Sequence, residues 1–167
     1  MGKIAVEIVM GSESDLQTMQ ECGNILEQFG LSYRYNIISA HRTPDEAALF
    51  SKSAAGRGVK IIIAGAGCAA HLAGVIASHT TLPVIGIPIS SPPLNGLDSL
   101  FSTVQMPGGI PVATMAIGSA GAKNAALFAI RMLSVDDGKL RKKLEGYISN
   151  MKENVKKQNE KVSAKHA

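Results

Sequence analysis

The chain has no tryptophan, and only three tyrosines and four phenylalanines among its 167 residues. Single-stranded nucleic acids are gripped by aromatic platforms, so this composition argues against a base-stacking surface. Cysteine is equally scarce. Cys22 and Cys68 lie far apart and form no CxxC or other metal spacing, which fits a reduced, cytosolic setting. His41, His71, His79 and His166 are scattered, with no HExxH motif or Cys/His cluster, so no metal is expected. No apolar stretch is long enough to cross a bilayer, and no membrane association is expected. The first residues lack a basic region, an apolar core and a cleavage site, so the expected location is cytoplasmic.

Positive charge is abundant only at one end. From Lys139 onward there are nine Lys or Arg against three Glu, whereas residues 1–138 carry eight basic and ten acidic residues. The net charge of +4 therefore belongs to a C-terminal segment and is best read as a solvated helix face, with no nucleic acid expected as a partner.

What remains is 46% hydrophobic and rich in Gly and Ala, a composition suited to close packing of helices on a sheet. Five short apolar runs read as strands: Ile4–Met10, Tyr33–Ile38, Lys60–Ala64, Val84–Ile87 and Val112–Ile117. Several are continuous rather than alternating, as strands covered on both faces are. Helical patterns separate them. One carries Leu16, Met19, Gly23, Leu26 and Phe29 on a stripe that stops at Gly30; others run from Pro44 toward Arg57, Ala69 to Ser78, Leu97 to Gln105 and Gly121 to Leu133. A long amphipathic helix, about Asp136 to Lys161, closes the chain. Strand–helix alternation predicts an α/β fold, a doubly wound parallel sheet of about five strands with helices on both faces. Residues 1–134 are expected to form one α/β domain and 135–167 a helical appendage. The apolar stripe of that last helix, Leu140, Leu144, Tyr147 or Ile148, Met151 and Val155, has to pack on its own chain or on a neighbouring subunit.

In such folds the loops at the carboxyl ends of the strands bind ligands. Ser39-Ala40-His41-Arg42 stands at one of these ends, followed by Thr43-Pro44-Asp45-Glu46. Thr43 fits an N-cap, Pro44 the first helical position and Glu46 a capping box. His41 can move a proton near neutral pH, and Arg42 can hold a phosphate or carboxylate; a surface His-Arg pair beside a cap is the plainer alternative. Gly11-Ser12-Glu13-Ser14-Asp15 offers Ser14 as a cap with Gln17. Ser12 or Ser14 with the helix amides makes a candidate phosphate cradle, and Asp15 a candidate acceptor for a sugar hydroxyl. A plain capped helix is the alternative there. Gly65-Ala66-Gly67-Cys68-Ala69-Ala70-His71 matches GxGxxA, but it follows the third strand and has no downstream acid, so a dinucleotide site is excluded. Its small side chains instead allow a ligand ring close to the backbone. Cys68 has no evident paired base and reads as a small thiol rather than a nucleophile. Gly118-Ser119-Ala120-Gly121-Ala122-Lys123 fails the GxxxxGK[ST] spacing, and no ATP site is expected.

Taken together, Gly11-Ser12-Glu13-Ser14-Asp15, Ser39-Ala40-His41-Arg42-Thr43-Pro44 and Gly65-Ala66-Gly67 resemble the PurE family of purine biosynthesis. Leu94-Asn95-Gly96-Leu97-Asp98-Ser99-Leu100, Gln105-Met106-Pro107-Gly108-Gly109 and Asn124-Ala125-Ala126-Leu127 extend the likeness over residues 4 to about 133. Gly65-Ala66-Gly67, where a second branch usually has a Ser-bearing loop, is similar to the class I, mutase branch. The resemblance implies a three-layer, flavodoxin-like fold and a cofactor-free isomerisation that moves a carboxylate from the exocyclic amine of an aminoimidazole ribonucleotide to ring carbon C4. It implies CO2 release and recapture, His41 as the acid/base, and Ser12, Asp15 and Arg42 as nucleotide contacts. Ser39, Ala66, Gly67 and His71 match further pocket positions, and Ser14 joins them as a substrate-binding candidate. The partners so implied are a small-molecule ribonucleotide, CO2 and further copies of the chain, as a homo-octamer. Two departures stand out: the family usually has Gly at the position of Cys68 and Pro at that of Ala73. Direct carboxylation of aminoimidazole ribonucleotide, and a flavodoxin-like module that only binds FMN or another phosphorylated ligand, are the competing expectations.

Overall fold

Val6-Glu7-Ile8-Val9-Met10 is buried along its whole length, as a central parallel strand covered on both faces must be. The computed structural model describes residues 4–165. They form β1 (Val6–Met10), α1 (Leu16–Phe29), β2 (Tyr33–Ile37), α2 (Pro44–Ala54), β3 (Ile61–Gly67), α3 (Leu72–Ser78), β4 (Val84–Ile89), α4 (Leu97–Val104), β5 (Ala113–Thr114), α5 (Ser119–Leu133) and α6 (Gly138–Ser163). The sheet has five strands in the order β2-β1-β3-β4-β5, and every pairing is parallel. This is the flavodoxin-like order predicted above. The order in which strands are added reverses between β1 and β3, the switch point at which open α/β sheets bind ligands.

The chain forms two compact units, Met1–Ala129 and Ile130–Ala167. In the first, one face of the sheet (Val9, Ile62, Ala64, Val84) packs on Ala47, Phe50 and Ala54 of α2 and Leu72, Ala73 and Ile76 of α3. On the opposite face Met19 of α1 fills the space where Gly65 lacks a side chain. Cys22 of α1 donates its thiol to the Ala122 carbonyl of α5, and burial pushes the Cys22 thiol up to about 12. The α1 stripe ends as predicted: Gly30 takes φ 75°, and the Leu31 amide donates back to the Leu26 carbonyl.

Glu7 is the one fully buried acid of β1. Arg34, its register partner on β2, donates to it twice, at 2.5 and 3.2 Å. Asn36 adds a third bond at 2.7 Å, and Arg57 lies 3.5 Å away. These donors tie the edge strand β2 and the end of the α2 segment to the sheet centre.

Three expectations are corrected. Strand β3 continues past Ala64 to Gly67, so Gly65-Ala66-Gly67 is strand rather than loop, paired with Ile87, Pro88 and Ile89. α3 begins at Leu72, not Ala69, because Cys68 takes φ 52° and the chain turns there. β5 is two residues rather than Val112–Ile117; beyond Thr114 the Met115 and Gly118 amides still reach Gly86 and Pro88 of β4, but not in ladder register. In the second unit, Asp137 caps α6 by accepting from the Lys139 and Leu140 amides. Leu140 and Leu144 of its stripe are buried, whereas Met151 and Val155 are exposed. Among the described residues no helix is long and apolar enough to cross a membrane.

Candidate active site

Four of the five strands end in segments that line one cavity of about 530 Å³ at the β1/β3 switch point. Residues 11–15 follow β1, 39–42 follow β2, 66–69 end and follow β3, and 89–92 follow β4. The fifth predicted loop, Gly118–Lys123, is not part of the wall, and neither is Gln105–Gly109.

The β1 loop caps itself differently from expectation. Ser12, not Ser14, is the N-cap, of a short 3-10 turn, Glu13–Asp15, that leads into α1. The Ser12 hydroxyl accepts from the Ser14 amide, and the Asp15 carboxylate accepts from the Ser12 amide at 3.1 Å. Those two amides are therefore engaged inside the turn. Asp15 is nearly buried, and burial pushes its carboxyl above the ordinary value of 3.8, against the lowering effect of the Ser12, Ser14 and Gly11 contacts.

The β2 segment departs from expectation in the same way. Thr43 stands before Pro44 at the N-cap position, but its hydroxyl does not cap α2. It turns back to accept from the Ser39 amide and donate to the Ser39 carbonyl, both at 3.1 Å. Ser39 Oγ in turn accepts from the Arg42 amide. This closed turn presents His41 and Arg42 to the cavity. An Arg42 Nη donates to the Gly11 carbonyl at 2.9 Å, joining the β2 loop to the β1 loop.

His41 Nε2 lies 2.9 Å from His71 Nδ1, with the rings edge to face at 83°. Such a contact needs one N–H and one lone pair, so at least one ring of the pair is neutral in it. His71 does not line the cavity; it reaches the site through His41. The remaining predicted residues, Ser12, Ser14, Asp15, Ser39, Arg42, Ala66 and Gly67, all line it with His41. Sequence reasoning missed the His41–His71 pairing, and missed Ala40, Ile89 and the Cys68–Ser91 contact on the opposite wall. Nothing in residue spacing links positions 41 and 71. His166 lies outside the described residues, and among those described no three His, Cys, Asp or Glu side chains gather as metal ligands do.

The β1/β3 switch point thus gathers small wall residues, an imidazole pair and one guanidinium around a single cavity. The chain belongs to the AIR carboxylase family, whose model matches residues 5–154. Among curated proteins it is similar to N5-carboxyaminoimidazole ribonucleotide mutase from Pyrococcus horikoshii, with 58% identity over 92% of this chain and 85% of that one. The enzymes of the same name from Thermotoga maritima and Bacillus subtilis are each 53% identical over 90% of this chain, covering 86% and 93% of theirs. A crystal structure of Treponema denticola PurE superimposes with a TM-score of 0.86 at 28% identity, covering 94% of this chain and 97% of that one.

Proposed function

We propose that the cavity carries out the reaction for which the curated relatives are named, with His41 as its proton-transfer group. The chain is an isomerase of purine biosynthesis that converts N5-carboxyaminoimidazole ribonucleotide to 4-carboxy-5-aminoimidazole ribonucleotide. The family description also covers direct carboxylation, but Gly65-Ala66-Gly67 and the relatives' names both favour the mutase.

In the proposed sequence His41 first gives a proton to the exocyclic nitrogen as the N–CO2 bond of the carbamate breaks, releasing CO2 and the electron-rich aminoimidazole and leaving His41 neutral. Ring carbon C4 then attacks the same CO2, and His41 removes the hydrogen from C4 to restore the aromatic ring. The observation that carries this role is the His41–His71 contact at the cavity wall. With His71 as its partner, His41 has a fixed ring orientation and a neighbour able to share the proton. Arg42 and the hydroxyls of Ser12, Ser14 and Ser39 bind the ribonucleotide's anionic and hydroxyl groups, while Asp15 both shapes the β1 turn and accepts from the sugar. Ala66 and Gly67 let the flat ring approach the backbone. An apolar wall strips water from the carboxylate and holds the fragments together, so recapture is effectively intramolecular.

The reading extends to a cytoplasmic homo-octamer. Both cysteines are free thiols. Leu97, Phe101 and Val104 recur along one face of α4 and are exposed, Phe101 by 58%, and the outer stripe of α6 is uncovered as well. A subunit of 17.5 kDa gives an octamer of about 140 kDa by light scattering.

The test is to supply purified protein with the carbamate substrate at minimal bicarbonate, and separately with aminoimidazole ribonucleotide at high bicarbonate. Rapid product formation from the first is expected. Turnover that requires added CO2 and ignores the carbamate assigns the direct carboxylase instead.

A further inference from the structure

Cys68 holds φ 52°, a left-handed conformation that side chains other than Gly, Asn and Asp seldom adopt. Its Sγ lies 3.1 Å from Ser91 Oγ, a contact in which either group can donate. Cys68 is in the segment after β3, Ser91 in the segment after β4, and both line the cavity. The two segments already run close: a side chain at Gly67 would stand 3.4 Å from both the Ile89 carbonyl and Ser91 Oγ. No other side-chain hydrogen bond described here joins these two walls. A glycine at position 68 would relax the backbone and remove the contact, so the thiol keeps a strained turn in exchange for a cross-wall tie.

We propose that the Cys68 thiol and the Ser91 hydroxyl form a latch between the β3 and β4 loops that holds the freed carboxyl group inside the cavity. The proposal rests on the mutase reading. Released CO2 is small and uncharged, and the product forms only if C4 captures it before it diffuses away. If the walls part, CO2 leaves and hydrates to bicarbonate, and aminoimidazole ribonucleotide is left behind instead of the C4-carboxylated product. Cys68 is thus a positioning residue: its sulfur makes and breaks no bond in the reaction.

Two measurements on the full chain test this. In hydrogen exchange without ligand, Cys68→Ala is expected to speed exchange at Ser90, Ser91 and Leu94 to Gly96, and Ser91→Ala at Gly67 to Ala70. Each effect is at least about threefold, the scale of one net hydrogen bond. Cys68→Ser, which keeps a donor and acceptor, should stay near wild type. In the reaction, the alanine variants should release aminoimidazole ribonucleotide and bicarbonate above the enzyme-free blank, so that product formed per carbamate consumed falls below the wild-type ratio. The Cys68→Ala, Ser91→Ala double variant should leak no more than either single one. Unchanged exchange at both loops overturns the latch. Faster exchange with a wild-type product ratio overturns its retention role. A wild-type protein that fails to convert the carbamate removes the mutase reading instead, and the latch is then decided by the exchange data alone.

Discussion

Replacing His41 with asparagine separates chemistry from binding at the proposed site. Asparagine keeps a hydrogen-bonding head near His71 but takes up no proton at neutral pH. A positioned acid/base contributes about 10²- to 10⁴-fold to a rate, which corresponds to roughly 2.7–5.5 kcal/mol of transition-state stabilisation. The change should not disturb the fold: His41 is exposed, and surface changes usually stay within about 0.5 kcal/mol. His71 makes an instructive comparison. It does not line the cavity and acts through one 2.9 Å contact, so His71→Asn should lose only what that contact supplies. A net hydrogen bond of about 1 kcal/mol predicts a loss of roughly five- to tenfold in kcat, with KM unchanged. The double variant should be no slower than His41→Asn alone, because an orienting partner has nothing left to orient. Initial rates with the carbamate substrate, together with calorimetric titration of aminoimidazole ribonucleotide, read these quantities. Binding is expected to stay within about tenfold while His41→Asn turnover falls at least ~10²-fold. Turnover within threefold of wild type would refute the assignment, and a larger loss from His71→Asn than from His41→Asn would hand the proton transfer to His71.

Two other substitutions probe groups that hold the site in place. Arg34→Ala strips two hydrogen bonds from the buried Glu7 but leaves Asn36 and Arg57. Breaking a buried pair outright costs about 3–5 kcal/mol, so with two partners remaining and Arg34 half-exposed a loss of about 2 kcal/mol is expected in urea unfolding; less than about 0.5 kcal/mol would show the network to be dispensable. Asp15→Asn should do the reverse. Folding raises the Asp15 pKa, so the folded state binds its proton more tightly than the unfolded state, and stability falls as pH rises upward from 3.8. Asparagine carries no such charge and can still accept from the Ser12 amide. The variant should therefore melt higher than wild type at pH 7, by a margin that shrinks below pH 4, while losing substrate affinity; a margin that grows on acidification refutes the sign.

The sheet was legible because β1, β3 and β4 are near-continuous apolar runs and each helix stripe repeats at helical spacing. Their alternation leaves few topologies, and a parallel sheet with switch-point loops is the simplest. Loop chemistry was legible by residue type but not by partner. Ser12, Ser14, Asp15, Ser39, His41 and Arg42 all line the cavity as expected, but the caps differ: Ser12 rather than Ser14 caps the β1 turn, and Thr43 does not cap α2. A Thr-x-x-Glu box and a Thr43 hydroxyl turned back to Ser39 are equally consistent with the same eight letters. Local pattern cannot choose between two short-range hydrogen bonds of similar strength. The His41–His71 and Cys68–Ser91 contacts span 30 and 23 residues and depend on how adjacent strands register, which no spacing rule encodes. Val112 to Ile117 reads as a longer strand because it is apolar apart from Thr114 and lies between Pro111 and Gly118. As an edge strand with one neighbour, β5 keeps ladder pairing for only two of these residues.

The small-residue run at the end of β3 looks like one feature and is two. Gly65 and Gly67 stand two residues apart on the same strand, and small size alone suggests the same purpose for both, room for a ligand. Gly65 pairs with Met10 and Ile87 in the sheet and is buried, and a methyl group there would run into the Met19 sulfur and approach Ile89. It is small so that α1 can lie close to the sheet. Gly67 borders the cavity, and a methyl group there would sit at ordinary contact distance, 3.4 Å, from the Ile89 carbonyl and Ser91 Oγ. Neither glycine has a positive φ, so alanine strains neither backbone. Gly65→Ala should thus act on stability, costing about 1–3 kcal/mol as overpacked cores do, with kcat/KM per folded molecule near wild type. Gly67→Ala should leave unfolding within about 0.5 kcal/mol and instead raise KM, since the added methyl occupies space the substrate ring uses. If Gly67→Ala destabilised the protein while Gly65→Ala impaired only turnover, the division between packing glycine and pocket glycine would be the wrong way round, and the ring would have to lie nearer α1 than β4.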